Sequence, residues 1–469
     1  MPQRPNVLFL MMDHANARVT APGSQCRKPH IDALAADGLR CARAYTCNAI
    51  CSPSRASLMT GQYASTHGVW DCTHTQRRQW VDLHDNPLQF SQVFAAAGYA
   101  TGYFGKWHVE QTGALERFGW QECDTQCAGM RGSVTAGTDV TIPAEGYRDY
   151  LLAGVSDDLP EHHPAFDRGI DFIARHAEAA HDGTPFFCFV SVSEPHDPYI
   201  APRKFFEQYD LDAIELSATL HDEPTGKPEV VARMARVWEN MTDTQWRVST
   251  AAYLAVMSFL DAEVGRIVAA LKNAGLYDDT IIVLSSDHGD MLGAHGLATK
   301  GVGTPYEEVY NIPLIVRVPG RASGEQNDAV ISIVDIGPTL LELCGLDALP
   351  AAQGRSFRAV LDGSAAMQDW QDAYAEFYGQ RFVYTQRIVW HADWKYVFTP
   401  GGVDELYNLA DDPGERYNLV DEPACRAVLV DMCTRMWRTM KTIGDDSLYN
   451  TQYATLRTAP VGPLVSGDA

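Results

Sequence analysis

The stretch "NAICSPSRASLMTG", residues 48 to 61, sets a cysteine two residues before Pro53 and four before Arg55, at what reads as the start of a helix. A phosphate or sulfate group would gain from the free backbone N–H groups at such a start. A free cysteine is also one of the commonest small residues of a core. The segment by itself leaves both readings open.

Other residues narrow the choice. Asp13, Asp287 and His288 are oxygen and imidazole donors suited to a divalent cation such as Ca²⁺, Mn²⁺ or Zn²⁺. Arg55, Lys106 and Lys300 supply positive charge, and His108 and His196 can exchange protons near neutral pH. Together they suit a tetrahedral oxyanion ester. Taken singly, each has a plainer reading: an Asp after a strand caps a turn, a lone His satisfies a hydrogen bond, a Lys or Arg is a surface cation.

Their placement gives them a common meaning. "NVLFLMM" is a nearly continuous apolar strand that delivers Asp13 and His14, "YATGYFGKWH" leads into Lys106 and His108, "FFCFVSVSEPH" into His196, and "DDTIIVLSSDHGD" into Asp287, His288 and Asp290. In an open parallel sheet the ligand crevice lies beyond the carboxyl ends of the strands, so four distant strand ends can meet at one site. Strand runs alternating with helical patterns predict an α/β class with a mainly parallel sheet between helices. "NPLQFSQVFAAAG" predicts a packing helix with Asn86 as N-cap and Gly98 past its end. The segment around "YLAVMSFLDAEVGRIVAALKNAG" places Leu260, Val264, Ile267 and Leu271 on one face.

The texture changes near residue 365, which predicts a catalytic α/β domain over 1–365. A smaller α+β domain follows over 366–445, with antiparallel strands in "RFVYTQRIVW" and "WKYVFTP" and the helix "PACRAVLVDMCTRMWRTMKTI". Residues 446–469 read as a tail.

The 469 residues carry 37 basic and 60 acidic side chains, a net charge of −23, which argues against a broad nucleic-acid or anionic-membrane surface. No run approaches the roughly 18 apolar residues of a spanning helix. With eleven cysteines and no cleavable leader, the expectation is a soluble cytoplasmic protein with reduced thiols. Two CxxxC pairs, Cys47 with Cys51 and Cys123 with Cys127, leave a zinc site or a disulfide open.

The motifs resemble a known family. Cys51-Ser52-Pro53-Ser54-Arg55 followed by Leu58-Met59-Thr60-Gly61 is similar to the signature of the type I, formylglycine-dependent sulfatases of the alkaline phosphatase superfamily. The segments "GKWH", "EPHDPY", "SSDHGDMLGAHG", "KGVGTPYEEVYNIPLIVRVPG" and "WKYVFTPGGVDELYNLADDPGERYNL" follow in the family's order, over about residues 5 to 420. The resemblance implies an alkaline phosphatase-like fold and a cysteine that a formylglycine-generating enzyme oxidises to an aldehyde. The hydrated aldehyde attacks sulfur, and the hemiacetal then expels sulfate.

Carried over residue by residue, Asp13, Asp287 and His288 match metal ligands, with Cys51 as both ligand and nucleophile and His14 as a ligand or close neighbour. Arg55 and Lys106 neutralise the sulfate, His108 takes the proton of the second hydroxyl, and His196 with Lys300 assists the departing alkoxide.

Many sulfatases have a second Asp where this chain has His14, and Asn where it has His288. More imidazole in place of carboxylate shifts the implied cation from Ca²⁺ towards Mn²⁺ and is also similar to the phosphonate monoester hydrolases, the alternative reading. A catalytically silent protein on the same fold would have lost one of these residues, and none is missing. The resemblance implies a small sulfate ester as substrate, whose alcohol half should meet residues 110–163 and 201–244. A homo-oligomer stays open.

Overall fold

Residues Asn6 to Asp13 are buried at every position, which requires a strand covered on both faces. In the computed structural model, which describes residues 4–74, 81–130, 132, 134, 139–142, 150–321, 324–448 and 458–463, this strand is β1, near the middle of an eight-stranded sheet. The others are β2 (Leu39–Tyr45), β3 (Ala100–Gly105), β4 (Glu122–Asp124), β5 (Phe186–Pro195), β6 (Thr280–Ser286), β7 (Leu314–Arg317) and β8 (Glu325–Ser332). They lie in the order β8-β2-β7-β6-β1-β5-β3-β4. All neighbours are parallel except β7, which runs antiparallel to both β2 and β6. The expected mixed, mainly parallel sheet is present.

Alternation along the strands divides the core. Phe9, Phe187, Phe189 and Val283 face one side with Phe90 and Phe94, while Leu8, Leu10, Val190 and Leu284 face the other. The second side is covered by the helix Asp243–Asn273, which buries Leu260, Val264, Ile267 and Leu271. It begins ten residues before the quoted apolar pattern, because a capping box between Thr242 and Gln245 starts it at a polar turn. The helix Phe90–Ala96 is shorter than "NPLQFSQVFAAAG" suggests. Gln89 caps it in a box with Gln92, and Asn86 sits at φ 44° outside it. Gly98, at φ +88°, follows its end as expected.

Register aligns the strand ends. Met12 pairs with Ser286 and Asp13 with Pro195, so Asp13, Asp287 and His196 leave the sheet side by side. Gly105, at φ +110°, pairs with Ser191, and a Cβ there would fall 1.8 Å from the Ser191 carbonyl oxygen. Only glycine fits this approach, and it turns Lys106 towards the same edge.

The helix Cys51–Thr60 is buried at all ten positions. Pro53 sits in its first turn, where a missing N–H costs nothing, and Gly61 closes it at φ 67°. The turn before it is tied by Asn48, whose side chain accepts from Ile50 N at 2.9 Å.

Strands β9 (Asp372–Gly379), β10 (Val383–His391), β11 (Trp394–Phe398) and β12 (Glu405–Asn408) form an antiparallel meander packed by the helix Arg426–Ile443. The meander backs the turn before Cys51: Asn48 Nδ2 donates to the Glu376 carbonyl at 2.7 Å, and Glu376 N to that of Cys47 at 2.9 Å. The tail expected from residue 446 lies largely outside the described residues, although Val461 is buried and its carbonyl accepts from Trp437 Nε1 at 2.7 Å.

Arg387 Nε meets Asp445 Oδ2 at 2.6 Å with both side chains almost fully buried. Removing one partner strands the other charge, so Arg387→Met should destabilise the protein by about 3–5 kcal/mol, read as a lower denaturant midpoint. An unchanged midpoint would show that this pair does not hold the helix to the meander.

Candidate active site

Asp13 and Asp287 each divide their oxygens. Asp287 Oδ2 accepts from Arg55 Nε at 2.7 Å, and Asp13 Oδ2 from Arg55 Nη2 at 3.3 Å and from Lys106 Nζ. The Oδ1 atoms turn inward, where His288 Nε2 stands 3.8 Å from that of Asp13 and 3.7 Å from that of Asp287. His288 Nδ1 faces the Gly289 carbonyl at 3.0 Å and donates to it, which leaves the Nε2 lone pair facing the carboxylates. Cys51 Sγ completes the group, 3.1 Å from His288 Nε2 and 3.6 Å from Asp13 Oδ1. Donor atoms of these four buried residues lie within 4.8 Å of one another. Two carboxylates, an imidazole lone pair and a sulfur converging away from water fit a divalent cation.

Each position has a local cause. Ser54 donates its hydroxyl to the Asp287 carbonyl at 2.6 Å, which ties the Cys51 helix to the end of β6. Arg55 Nη1 donates to Ser191 Oγ at 2.7 Å and to the Lys106 carbonyl at 2.9 Å, so with its bonds to Asp13 and Asp287 one guanidinium ties together four strands, β1, β3, β5 and β6. His14, at φ 73°, has its carbonyl held by the Tyr253 hydroxyl at 2.7 Å, from the long helix.

The electrostatics follow from crowding. Burial and the neighbouring sulfur would raise Asp13, yet Lys106, His196 and Arg55 hold it well below the usual carboxylate range. Burial would likewise raise Cys51, but Lys106, Lys300 and His288, with a hydrogen bond from His108, hold it far below the ordinary thiol range. Burial lowers Lys300, and the charges of Cys51, Asp197 and Asp13 more than restore it, so it stays an ammonium. Residue 51 therefore sits where negative charge is stabilised from several sides.

All the residues singled out in the sequence lie around this edge of the sheet. His108, mainly through burial, titrates below its usual value and faces Cys51. Lys300 Nζ stands 2.5 Å from His196 Nε2. His14 packs edge-on against His288, ring centroids 4.7 Å apart, without joining the four-donor group; its nitrogens fall with His196 and Asp197 instead.

Cys47, Cys123 and Cys127 enter no donor group among the described residues, and no disulfide joins any of the eleven cysteines. A cavity of about 600 Å³ opens beside Lys106 and His196, walled by Gln126, Met130, Leu159 and Glu194. Residues 201–244 line none of it.

Sequence reasoning passed over Ser191 and Asp197. The signal for Ser191 was a buried hydroxyl inside the apolar run "FFCFVSV", and for Asp197 its place directly after His196.

Comparison with known proteins bears on this geometry. The Sulfatase family model matches residues 5–346, and the model "N-sulphoglucosamine sulphohydrolase, C-terminal" matches 293–442. The sulfatase YidJ of Escherichia coli (strain K12) is 29% identical over 432 residues, covering 88% of this chain and 82% of its own. A solved structure with the substrate D-glucosamine-2-N,6-O-disulfate superposes with a TM-score of 0.75 at 21% identity, covering 95% of this chain and 99% of that one. The phosphonate monoester hydrolase of Silicibacter pomeroyi gives 0.74 at 27% identity, covering 95% and 97%.

Proposed function

This chain belongs to the sulfatase family of the alkaline phosphatase superfamily, and from that premise we infer that it hydrolyses sulfate monoesters to an alcohol and inorganic sulfate. The observation that carries the reading is Cys51, 1% exposed at the first position of its helix, with Arg55, Lys106, His108, His288 and Lys300 gathered around it.

Asp13, Asp287, His288 and residue 51 would hold one divalent cation, Ca²⁺ with Mn²⁺ as the alternative, which when bound supplies a Lewis acid for the charge on the ester. Cys51 is the residue to be oxidised to formylglycine. The hydrated aldehyde supplies one hydroxyl that attacks sulfur as the S–O bond to the alcohol breaks, and a second whose deprotonation drives C–O cleavage, freeing sulfate and restoring the aldehyde.

The chain's own groups do the rest. Arg55 and Lys106, already paired with the carboxylates, keep the pocket positive where the sulfate oxygens gather charge. His108, held neutral, accepts the proton of the second hydroxyl. Lys300, held by His196 Nε2 at 2.5 Å, supplies the proton of the departing oxygen, and His196 assists by placing it. The cavity beside them has room for the alcohol. No disulfide joins the cysteines, which favours a reducing compartment, and among the described residues no helix is long and apolar enough to cross a membrane.

A turnover panel of aryl sulfate, choline sulfate, sugar sulfate and phenyl phosphonate tests the reading. Sulfate release is expected, and cleavage of the phosphonate alone would transfer the site to the phosphonate monoester hydrolases. His196→Ala should lose about 10²- to 10⁴-fold on an alkyl sulfate and distinctly less on a nitrophenyl sulfate, whose leaving group needs little help. Equal losses would move the leaving-group role to another residue.

A further inference from the structure

Asp197 has no part in the chemistry above, yet it stands at the centre of a second convergence. Nitrogens of His14 and His196 and a carboxylate oxygen of Asp197 lie within 4.8 Å of one another. Asp197 Oδ1 is buried without a hydrogen-bond partner, 3.2 Å from His196 Nδ1 and 3.4 Å from His14 Nδ1. Its Oδ2 receives the Tyr150 hydroxyl. Across the His196 ring, Nε2 faces Lys300 Nζ at 2.5 Å.

Separations of 3.2 and 3.4 Å invite a second cation, since ligand atoms around tetrahedral zinc stand about 3.3 Å apart. Lys300 opposes it. A histidine bound through Nδ1 keeps its proton on Nε2, and that proton would point at the Lys300 ammonium. The other tautomer suits both neighbours. With the proton on Nδ1, the ring donates to the Asp197 carbonyl at 2.8 Å, and the carboxylate oxygen stands beside that proton at 3.2 Å from the nitrogen. The Nε2 lone pair then receives Lys300.

His196 is only partly buried and could turn its ring over, exchanging Nδ1 for a carbon. A carboxylate at Nδ1 penalises that turn, and its charge offsets that of Lys300 where little water reaches. His14 lies behind the carboxylate without a hydrogen bond to it: its Nδ1 is 3.4 Å from Asp197 Oδ1 and its Nε2 3.2 Å from Asp290 Oδ2, which accepts from Tyr199 at 2.5 Å.

We propose that Asp197 is a positioning residue for the leaving-group machinery, fixing the tautomer and orientation of His196 and thereby the place of the Lys300 ammonium. The proposal rests on the sulfatase reading for what Lys300 and His196 do, but its geometry can be read without any substrate.

Two measurements on the matured full-length protein test it. Nitrogen NMR of the resting protein should show His196 protonated at Nδ1, and Asp197→Asn, which keeps the carbonyl acceptor but loses the charge beside it, should admit a measurable fraction protonated at Nε2. This result would stand even if the protein proved to cleave phosphonates. In kinetics, Asp197→Asn should cost about 10²-fold on an alkyl sulfate and under about tenfold on a nitrophenyl sulfate, with Asp197→Glu recovering part of the loss.

In a His196→Ala background the Asp197→Asn change should add little, because the two residues act as a unit. An Nε2-protonated His196, equal losses on both esters, full additivity in the double variant, or a second bound cation lost on Asp197→Asn would each overturn the proposal.

Discussion

Cys51→Ala should cut turnover by on the order of 10⁶-fold, the scale on which loss of the nucleophile disables a covalent hydrolase. Alanine keeps the helix start and the apolar volume of Cβ, and Asp13, Asp287, Arg55 and Ser54 still bind one another through contacts that do not involve sulfur. The unfolding free energy should therefore change by no more than about 2 kcal/mol. Peptide mass analysis of the active wild-type protein should find the aldehyde at residue 51. Full activity from protein in which every residue 51 is an intact thiol would refute the proposed chemistry.

Removing the cation should be nearly as severe. Chelation is expected to stop turnover, and adding back Ca²⁺ and Mn²⁺ separately will show which restores it. Asp287→Ala should do the same and also destabilise the fold. Its Oδ2 holds Arg55 Nε at 2.7 Å where both are almost fully buried, so the variant leaves a buried guanidinium short of a partner, at about 3–5 kcal/mol. The two losses can be separated by elemental analysis of the dialysed protein and a thermal melt. An Asp287→Ala protein that kept both its metal and its rate would show that the strand ends meet for another purpose.

The strands that position the site were legible because burial on both faces leaves continuous apolar runs, and the residues that break those runs are the ones at the site. Asp13 after "VLFLMM" and Asp287 after "IIVLSS" stand out for this reason. What the sequence could not show was pairing across distance. Nothing local says that Ser54 reaches the carbonyl of Asp287, or that Glu376, far along the chain in the meander, secures the turn before Cys51.

Helix ends were read less well than strand ends. Asn86 is a good cap by type, yet a reciprocal box between Gln89 and Gln92 starts the helix later, since two satisfied backbone donors outweigh one. Asp197 was missed because an acid next to a histidine is an ordinary neighbour until the fold shows that Lys300 waits on the other side of the ring.

The helix that begins at Cys51 is buried along its whole length, and the sulfur lies beneath His288, Asp13 and His108. A separate oxidising enzyme would need several residues around that cysteine in an extended, accessible form, which the finished protein does not offer. If Cys51 is oxidised as proposed, maturation and folding would compete for the same segment while the chain is being made. Once the helix has docked against Asp287, an unconverted molecule is committed. It should be as stable as its converted twin, share the Asp13, Asp287 and His288 ligands but offer sulfur in place of oxygen at residue 51, and stay inactive. A preparation would then contain two populations whose ratio records how fast the chain folded relative to how soon the enzyme arrived, and expression temperature and rate would set specific activity without changing the sequence or the yield.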